Sequence, residues 1–168
     1  MDDDGHRHGE GAVTMEVNDE FIPEETYAEF LARMPEVCVE VVVEHGGGVL
    51  LAKRENEPAK GEWFWPGGRL YKGEETAAAA ERIAAEELGI EVEVVDLLGV
   101  YSHFWETSAV GDGPSRHTVN VAYRVAPAAP DPEIVLDDQH SDHRFLTELE
   151  PGLHAYVRRY IEEAGLLR

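Results

Sequence analysis

The chain has 168 residues, 43% hydrophobic, 8% aromatic and 29% charged, the composition of one compact soluble domain rather than of a disordered or fibrous chain. Its 35 acidic and 14 basic residues leave a formal net charge of -21, a field that repels phosphate backbones and anionic lipid and so argues against nucleic-acid and membrane partners. No run approaches the roughly 18 apolar residues of a membrane span; the acidic start, Met1-Asp2-Asp3-Asp4, and the single cysteine, Cys38, point to a cytoplasmic protein without disulfides or thiolate metal clusters.

Residues 1–20 are acidic, carry glycine and lack apolar periodicity, so they read as a disordered tail, and residues 21–168 as a single domain. Tyr27, Phe30, Leu31 and Met34 share one helical face until Pro35, which predicts a short packing helix. Val37, Val39, Val41 and Val43 alternate along a strand, Gly46-Gly47-Gly48 turns the chain, and Val49 to Lys53 returns as the second strand of a hairpin. Residues 75–88 are rich in Ala and Glu and end at Gly89, the residue a left-handed helix cap favours. Strands follow at 92–101 and 119–125, and residues 126–133 form a connection. Leu153, Tyr156, Val157, Tyr160, Ile161 and Ala164 lie at helical spacing, an amphipathic helix that can cover a sheet. The expected class is α+β, a mixed β-sheet sandwiched between α-helices. Lys53, Lys60 and Lys72 are the lysines; an acid-rich, lysine-poor surface suggests a halophilic protein that works in concentrated salt.

The stretch from Gly67 to Ile90, GGRLYKGEETAAAAERIAAEELGI, carries the chemistry. From Gly68 it runs through Glu74 and Arg82 to Glu86, Glu87, Leu88, Gly89 and Ile90. Carboxylates are hard oxygen ligands suited to magnesium, a helix presents i, i+3 and i+4 to one point, and glycine lets backbone carbonyls approach the same ion. This arrangement over residues 68–90 resembles the Nudix box, in which a loop and a helix hold a divalent metal against a diphosphate. One position departs: Ile83 stands where the box has glutamate, one turn before Glu87, so the site is expected to hold fewer ions. Glu86 lies about 100° around the helix from Glu87. It is read either as a partner of Arg82 or as a further metal ligand, with Glu87 the favoured one.

Loss of that glutamate is a feature of the GDP-mannose mannosyl hydrolases, Nudix-fold enzymes that release GDP by substitution at the sugar carbon. The resemblance extends to Lys53-Arg54, Trp63-Phe64 before Pro66-Gly67-Gly68, the Gly99-Val100 to His103-Phe104 segment, and Asp138-Gln139-His140 leading to Arg144-Phe145-Leu146-Thr147. It implies Mg2+, or Mn2+ in its place, held by the Gly67 carbonyl, Glu87 and Gln139, with His140 as general base and His143 its rival. Arg54, Arg69 and Arg82 match a cationic clamp on the departing diphosphate, although Arg82 equally suits a structural pairing with Glu74 or Glu86. His103 matches a residue that helps bind the diphosphate. Glu40 matches an acid that stabilises positive charge on the sugar ring, with an edge-strand salt bridge as the competing reading. Thr118 stands where the family has a substrate-binding tyrosine, and residues 106–116 are read as a loop over the site. The resemblance thus implies GDP-mannose and water giving GDP and mannose with inversion, and it allows a homodimer. Attack at phosphorus of a nucleoside diphosphate derivative, and a nucleotide-sensing domain without turnover, are the alternatives.

Overall fold

The alternating valines form β1 (Glu36–His45), yet the strand is buried on both faces, because helices cover the sheet on each side. Val39, Val41 and Val43 pack with Ala79, Ala80, Ile83, Ala84 and Leu88, the apolar stripe of an alanine-rich helix. Val42, on the other face, packs with Val157, Tyr160 and Ile161 of the C-terminal helix. The computed structural model describes residues 13–106 and 115–167. Its elements are α1 (Glu24–Arg33), β1, β2 (Gly48–Arg54), β3 (Trp63–Phe64), β4 (Gly67–Arg69), α2 (Thr76–Leu88), β5 (Val92–Trp105), β6 (Arg116–Pro127), β7 (His140–Leu146) and α3 (Ala155–Ala164).

The sheet is mixed, in the order β3-β2-β1-β6-β5, with β4 beside β1 and β7 beside β2. β1 runs parallel to β6 and antiparallel to β2 and β4. β1 meets β2 only at Glu44↔Val49 and His45↔Gly48, and along Cys38 to Glu40 its partner is β4 instead. The strands therefore diverge, and the space between them is where the site forms. Gly89 caps α2 in the left-handed conformation, φ 65°, its N–H reaching the carbonyls of Ala84 and Ala85 as expected of a glycine cap.

Several details differ from the sequence expectation. β3, β4 and β7 carry no alternation that marks a strand: two are very short, and β7 buries only His140 and Leu146. In α1, Leu31 is buried, whereas Phe30 is 48% and Met34 60% exposed, because this helix meets little more than the start of β6. Of the expected tail, residues 1–12 lie outside the described residues; 13–20 are exposed, with the Asn18 N–H bonded to the Lys72 carbonyl at 2.9 Å. Within the expected loop 106–116, residues 107–114 lie outside the described residues. Among the described residues no helix is long and apolar enough to cross a membrane.

Candidate active site

Strand register gathers polar residues on one face of the sheet. Pairing Glu36 with Thr118 and Cys38 with Asn120 puts alternate residues of β1 and β6 on that face, and Trp105↔Arg116 and His103↔Thr118 add β5. β4 contributes Gly67 and Arg69 opposite Glu40 and Cys38. These side chains and the start of the Gly67 loop enclose a cavity of about 270 Å³. It is lined by Glu40, Arg54, Gly67, Arg69, Arg82, Glu86, Glu87, His103, Thr118 and Gln139, but by neither of the two candidate bases, His140 and His143.

Gly67, Glu87 and Gln139, the expected metal ligands, all line this cavity. α2 carries Glu87, 7% exposed, whose Oε2 accepts the Gly67 N–H at 3.0 Å. A Cβ on Gly67 would stand 2.9 Å from Glu40 Cγ and 3.0 Å from the Val39 carbonyl, so only glycine fits this close approach. The chain leading to Gln139 runs past the end of α2, with the Val135 N–H on the Leu88 carbonyl at 2.9 Å and the Asp137 N–H on the Glu87 carbonyl at 3.3 Å. Burial, and then the nearby Asp137 charge, push Glu87 up to about 8 against the opposing pull of the Gly67 N–H and Arg54. Carbonyl, carboxylate and amide oxygens beside an electrostatically strained carboxylate are a donor set that fits magnesium, which takes one or two protein carboxylates and fills its shell with phosphate and water.

Arg54, at the end of β2, is anchored by its Nε on the Pro58 carbonyl at 2.7 Å. Arg69 lies 4.9 Å from the Tyr71 ring centroid. Arg82 differs from the expected clamp. Its Nε and Nη2 bond both Glu74 oxygens at 2.7 and 3.0 Å, Nη1 bonds Glu86 at 3.0 Å, and Nη2 also reaches the Arg69 carbonyl at 2.9 Å. With four of its five N–H donors engaged, Arg82 braces α2 against the glycine loop. Against the upward push of burial, the Arg82 hydrogen bonds, the Tyr71 N–H and the Arg82 charge together hold Glu74 below the ordinary carboxylate range.

His140 opens β7 opposite Arg54 and is 6% exposed. Its Nδ1 lies 2.7 Å from Asp137 Oδ1, and Nε2 has no hydrogen-bond partner. His143, the rival base, pairs with Ala52 on β2 and is not among the lining residues. His103 is 1% exposed, stacked on Tyr156 with ring centroids 4.0 Å apart and 3.1 Å from the Tyr160 hydroxyl. Burial drives its pKa down to about 3, which favours the neutral ring near pH 7.

Glu40 is 4% exposed. The Asn120 amide donates to its Oε1 at 2.9 Å, and burial raises its pKa to about 7 despite Tyr160, Asn120 and Arg54 nearby. This interior setting displaces the alternative of an edge-strand salt bridge. Thr118, expected at the substrate, spends its hydroxyl proton on Asn120 Oδ1 at 2.6 Å. Sequence reasoning missed Asn120, Asp137 and Arg116. Arg116 lines the cavity while bonded to Glu36 at 2.5 Å, and Tyr27 of α1 hydrogen-bonds the same carboxylate. The polar residues of β6, Arg116, Thr118 and Asn120, recur at every second position; this period was the available signal.

The NUDIX domain model matches residues 33–163. A Haloferax volcanii protein named low-salt glycan biosynthesis protein Agl8 is 42% identical over 141 residues, 84% of this chain and 89% of that one. An ADP-ribose pyrophosphatase of Methanocaldococcus jannaschii is 43% identical over 68 residues, 40% of either chain. Among solved structures, the MutT NUDIX hydrolase of Burkholderia pseudomallei superposes with a TM-score of 0.59 at 27% identity, over 78% of this chain and 98% of that chain. The glycine loop, the Glu74–Arg82 brace and the mixed sheet between helices agree with these matches, and the chain belongs to the Nudix hydrolase family.

Proposed function

We propose that the protein is a magnesium-dependent hydrolase of a nucleotide sugar, GDP-mannose foremost, in which water attacks the sugar C1, GDP departs and the anomeric centre inverts. One observation carries this reading. Buried Ile83 replaces a box carboxylate one turn from Glu87, while a buried carboxylate, Glu40, lies beside the Gly67 backbone. With fewer box carboxylates to hold ions, water activation falls to a side-chain base, and Glu40 supplies negative charge where a sugar ring would become positive.

Gly67, Glu87 and Gln139 would hold the magnesium, which when bound draws charge from the leaving diphosphate. Arg54 and Arg69 bind the diphosphate oxygens as cations in a partly enclosed cavity, where such contacts gain strength. Asp137 accepts from His140 Nδ1, fixing the tautomer that leaves the Nε2 lone pair to take a proton from water. A general base contributes about 100- to 10,000-fold, roughly 3 to 5 kcal/mol, whereas enzymes supply about 8 kcal/mol or more, so leaving-group stabilisation carries the remainder. The glycan-biosynthesis name of the Haloferax relative accords with a sugar-bearing substrate.

The experiment is turnover of GDP-mannose with magnesium, products separated by ion exchange. GDP and free mannose are expected, and His140→Gln lowers kcat about 100- to 10,000-fold without unfolding the protein. A second reading, attack at phosphorus, is favoured by Glu86, which lines the cavity beside Glu87, and by the match to the archaeal ADP-ribose pyrophosphatase. GMP and mannose 1-phosphate as products would establish it.

A further inference from the structure

A row of buried polar groups crosses from β6 to β1 beneath the cavity. Thr118, Asn120 and Glu40 are 3%, 5% and 4% exposed. The Thr118 hydroxyl donates to Asn120 Oδ1 at 2.6 Å, and Asn120 Nδ2 donates to Glu40 Oε1 at 2.9 Å. The order of donors has a cause. A hydroxyl has one proton, and once Thr118 gives it to Oδ1 the asparagine amide can present only its NH2 to Glu40. Reversing the amide would set two oxygens face to face and leave the buried Thr118 proton without a partner.

The terminal torsion of a glutamate is broad, so an unsupported carboxylate samples many orientations. Here Asn120 ties down Oε1, Tyr160 stands close enough to act on the same carboxylate, and Oε2 is buried without a hydrogen bond. His103, held between the Tyr156 ring and the Tyr160 hydroxyl, lies beside the bonded oxygen, with Nδ1 3.7 Å from Oε1. We propose that Asn120 is a positioning residue, oriented by Thr118, that fixes the Glu40 carboxylate so that its charge is held in place toward the positive charge developing on the sugar. The inference rests on the nucleotide-sugar reading given above. It also gives Thr118 a role through Asn120 rather than in direct substrate contact.

The test is steady-state kinetics with GDP-mannose and magnesium on Glu40→Gln, Asn120→Ala, the double variant and Thr118→Val, each checked for folding by thermal melting. Glu40→Gln is expected to lower kcat about 100-fold and Asn120→Ala about 10-fold with KM changed less than about 3-fold. The double variant should be no slower than Glu40→Gln alone, because Asn120 acts only through that carboxylate. Thr118→Val, close to isosteric, should lower kcat about 3-fold, and it carries the test if Asn120→Ala fails to fold. Losses that multiply in the double variant, or a Thr118→Val enzyme with unchanged kcat, would overturn the positioning role while leaving the proposed reaction standing. A Glu40→Gln enzyme with unchanged kcat would overturn the charge-stabilising role of Glu40 and the positioning role with it, whereas products other than GDP and mannose from the parent enzyme would overturn the proposed reaction.

Discussion

Arg82 and Glu74 are joined by two hydrogen bonds, Nε to Oε2 at 2.7 Å and Nη2 to Oε1 at 3.0 Å, with the side chains only 20% and 6% exposed. The fork fits the carboxylate, and the same guanidinium reaches the Arg69 carbonyl across the glycine loop. A lysine supplies one point charge and cannot make this geometry. Arg82→Lys is therefore expected to cost about 2 kcal/mol and lower the melting temperature by roughly 4 to 8 °C. Calorimetry of the metal-free protein checks this; an unchanged melting temperature would return Arg82 to the substrate.

Ile83 is 1% exposed, and its Cγ1 and Cδ1 lie 3.6 and 3.7 Å from where a Cβ on Gly68 would stand. Introducing Ile83→Glu would bury a second carboxylate near Glu87. Without metal the variant is expected to be about 3 kcal/mol less stable, a drop of roughly 6 to 12 °C. Magnesium should recover more of that loss than it adds to the parent, since a cation offsets the paired charges. Melting curves in chelator and in magnesium measure both, and equal shifts in the two proteins would show that position 83 does not face the ion.

His103 gives a pH dependence of defined sign. Its folded pKa of about 3 lies below the ordinary 6.5, so between those values the unfolded chain binds more protons. Stability from this group is full above about 6.5 and declines toward pH 3, by at most about 1.4 kcal/mol per pH unit. Glu40, raised to about 7, acts in the opposite sense, its contribution being full below about 4.5 and lost as pH rises through 7. The diagnostic is accordingly a difference: denaturant melts from pH 7 to 5 should show His103→Gln losing less stability on acidification than the parent. Parallel curves would contradict the neutral, buried histidine.

A formal charge of -21 on 168 residues stores self-repulsion that salt screens. The melting temperature is expected to rise steadily as KCl goes from about 0.1 to 2 M, well beyond the point where a Debye length of about 10 Å has already shortened. A melting temperature independent of KCl would dispose of the halophilic reading.

Long periodic elements were legible because one periodicity decides each: α2 from its alanines and Gly89, β1 from its valines, α3 from Tyr156, Val157, Tyr160 and Ile161. β7 was not, since its HSDHRFL sequence buries only its two ends and takes its strand geometry from pairing with β2. The box residues could be placed in one cavity from spacing along a loop and a helix. Asn120 could not, because its meaning depends on the parallel register of β1 and β6, set by residues about 80 positions apart and by no local pattern. For Arg82, sequence left clamp and brace open, and the structure shows the brace, four of its five donors being on Glu74, Glu86 and the Arg69 carbonyl.

The site of attack is the central claim, and oxygen-18 water reads it directly. Hydrolysis of GDP-mannose with magnesium in labelled water, followed by mass spectrometry, should place the label in free mannose and leave GDP unlabelled. Label in GMP or in a sugar phosphate would contradict substitution at carbon and assign the attack to phosphorus.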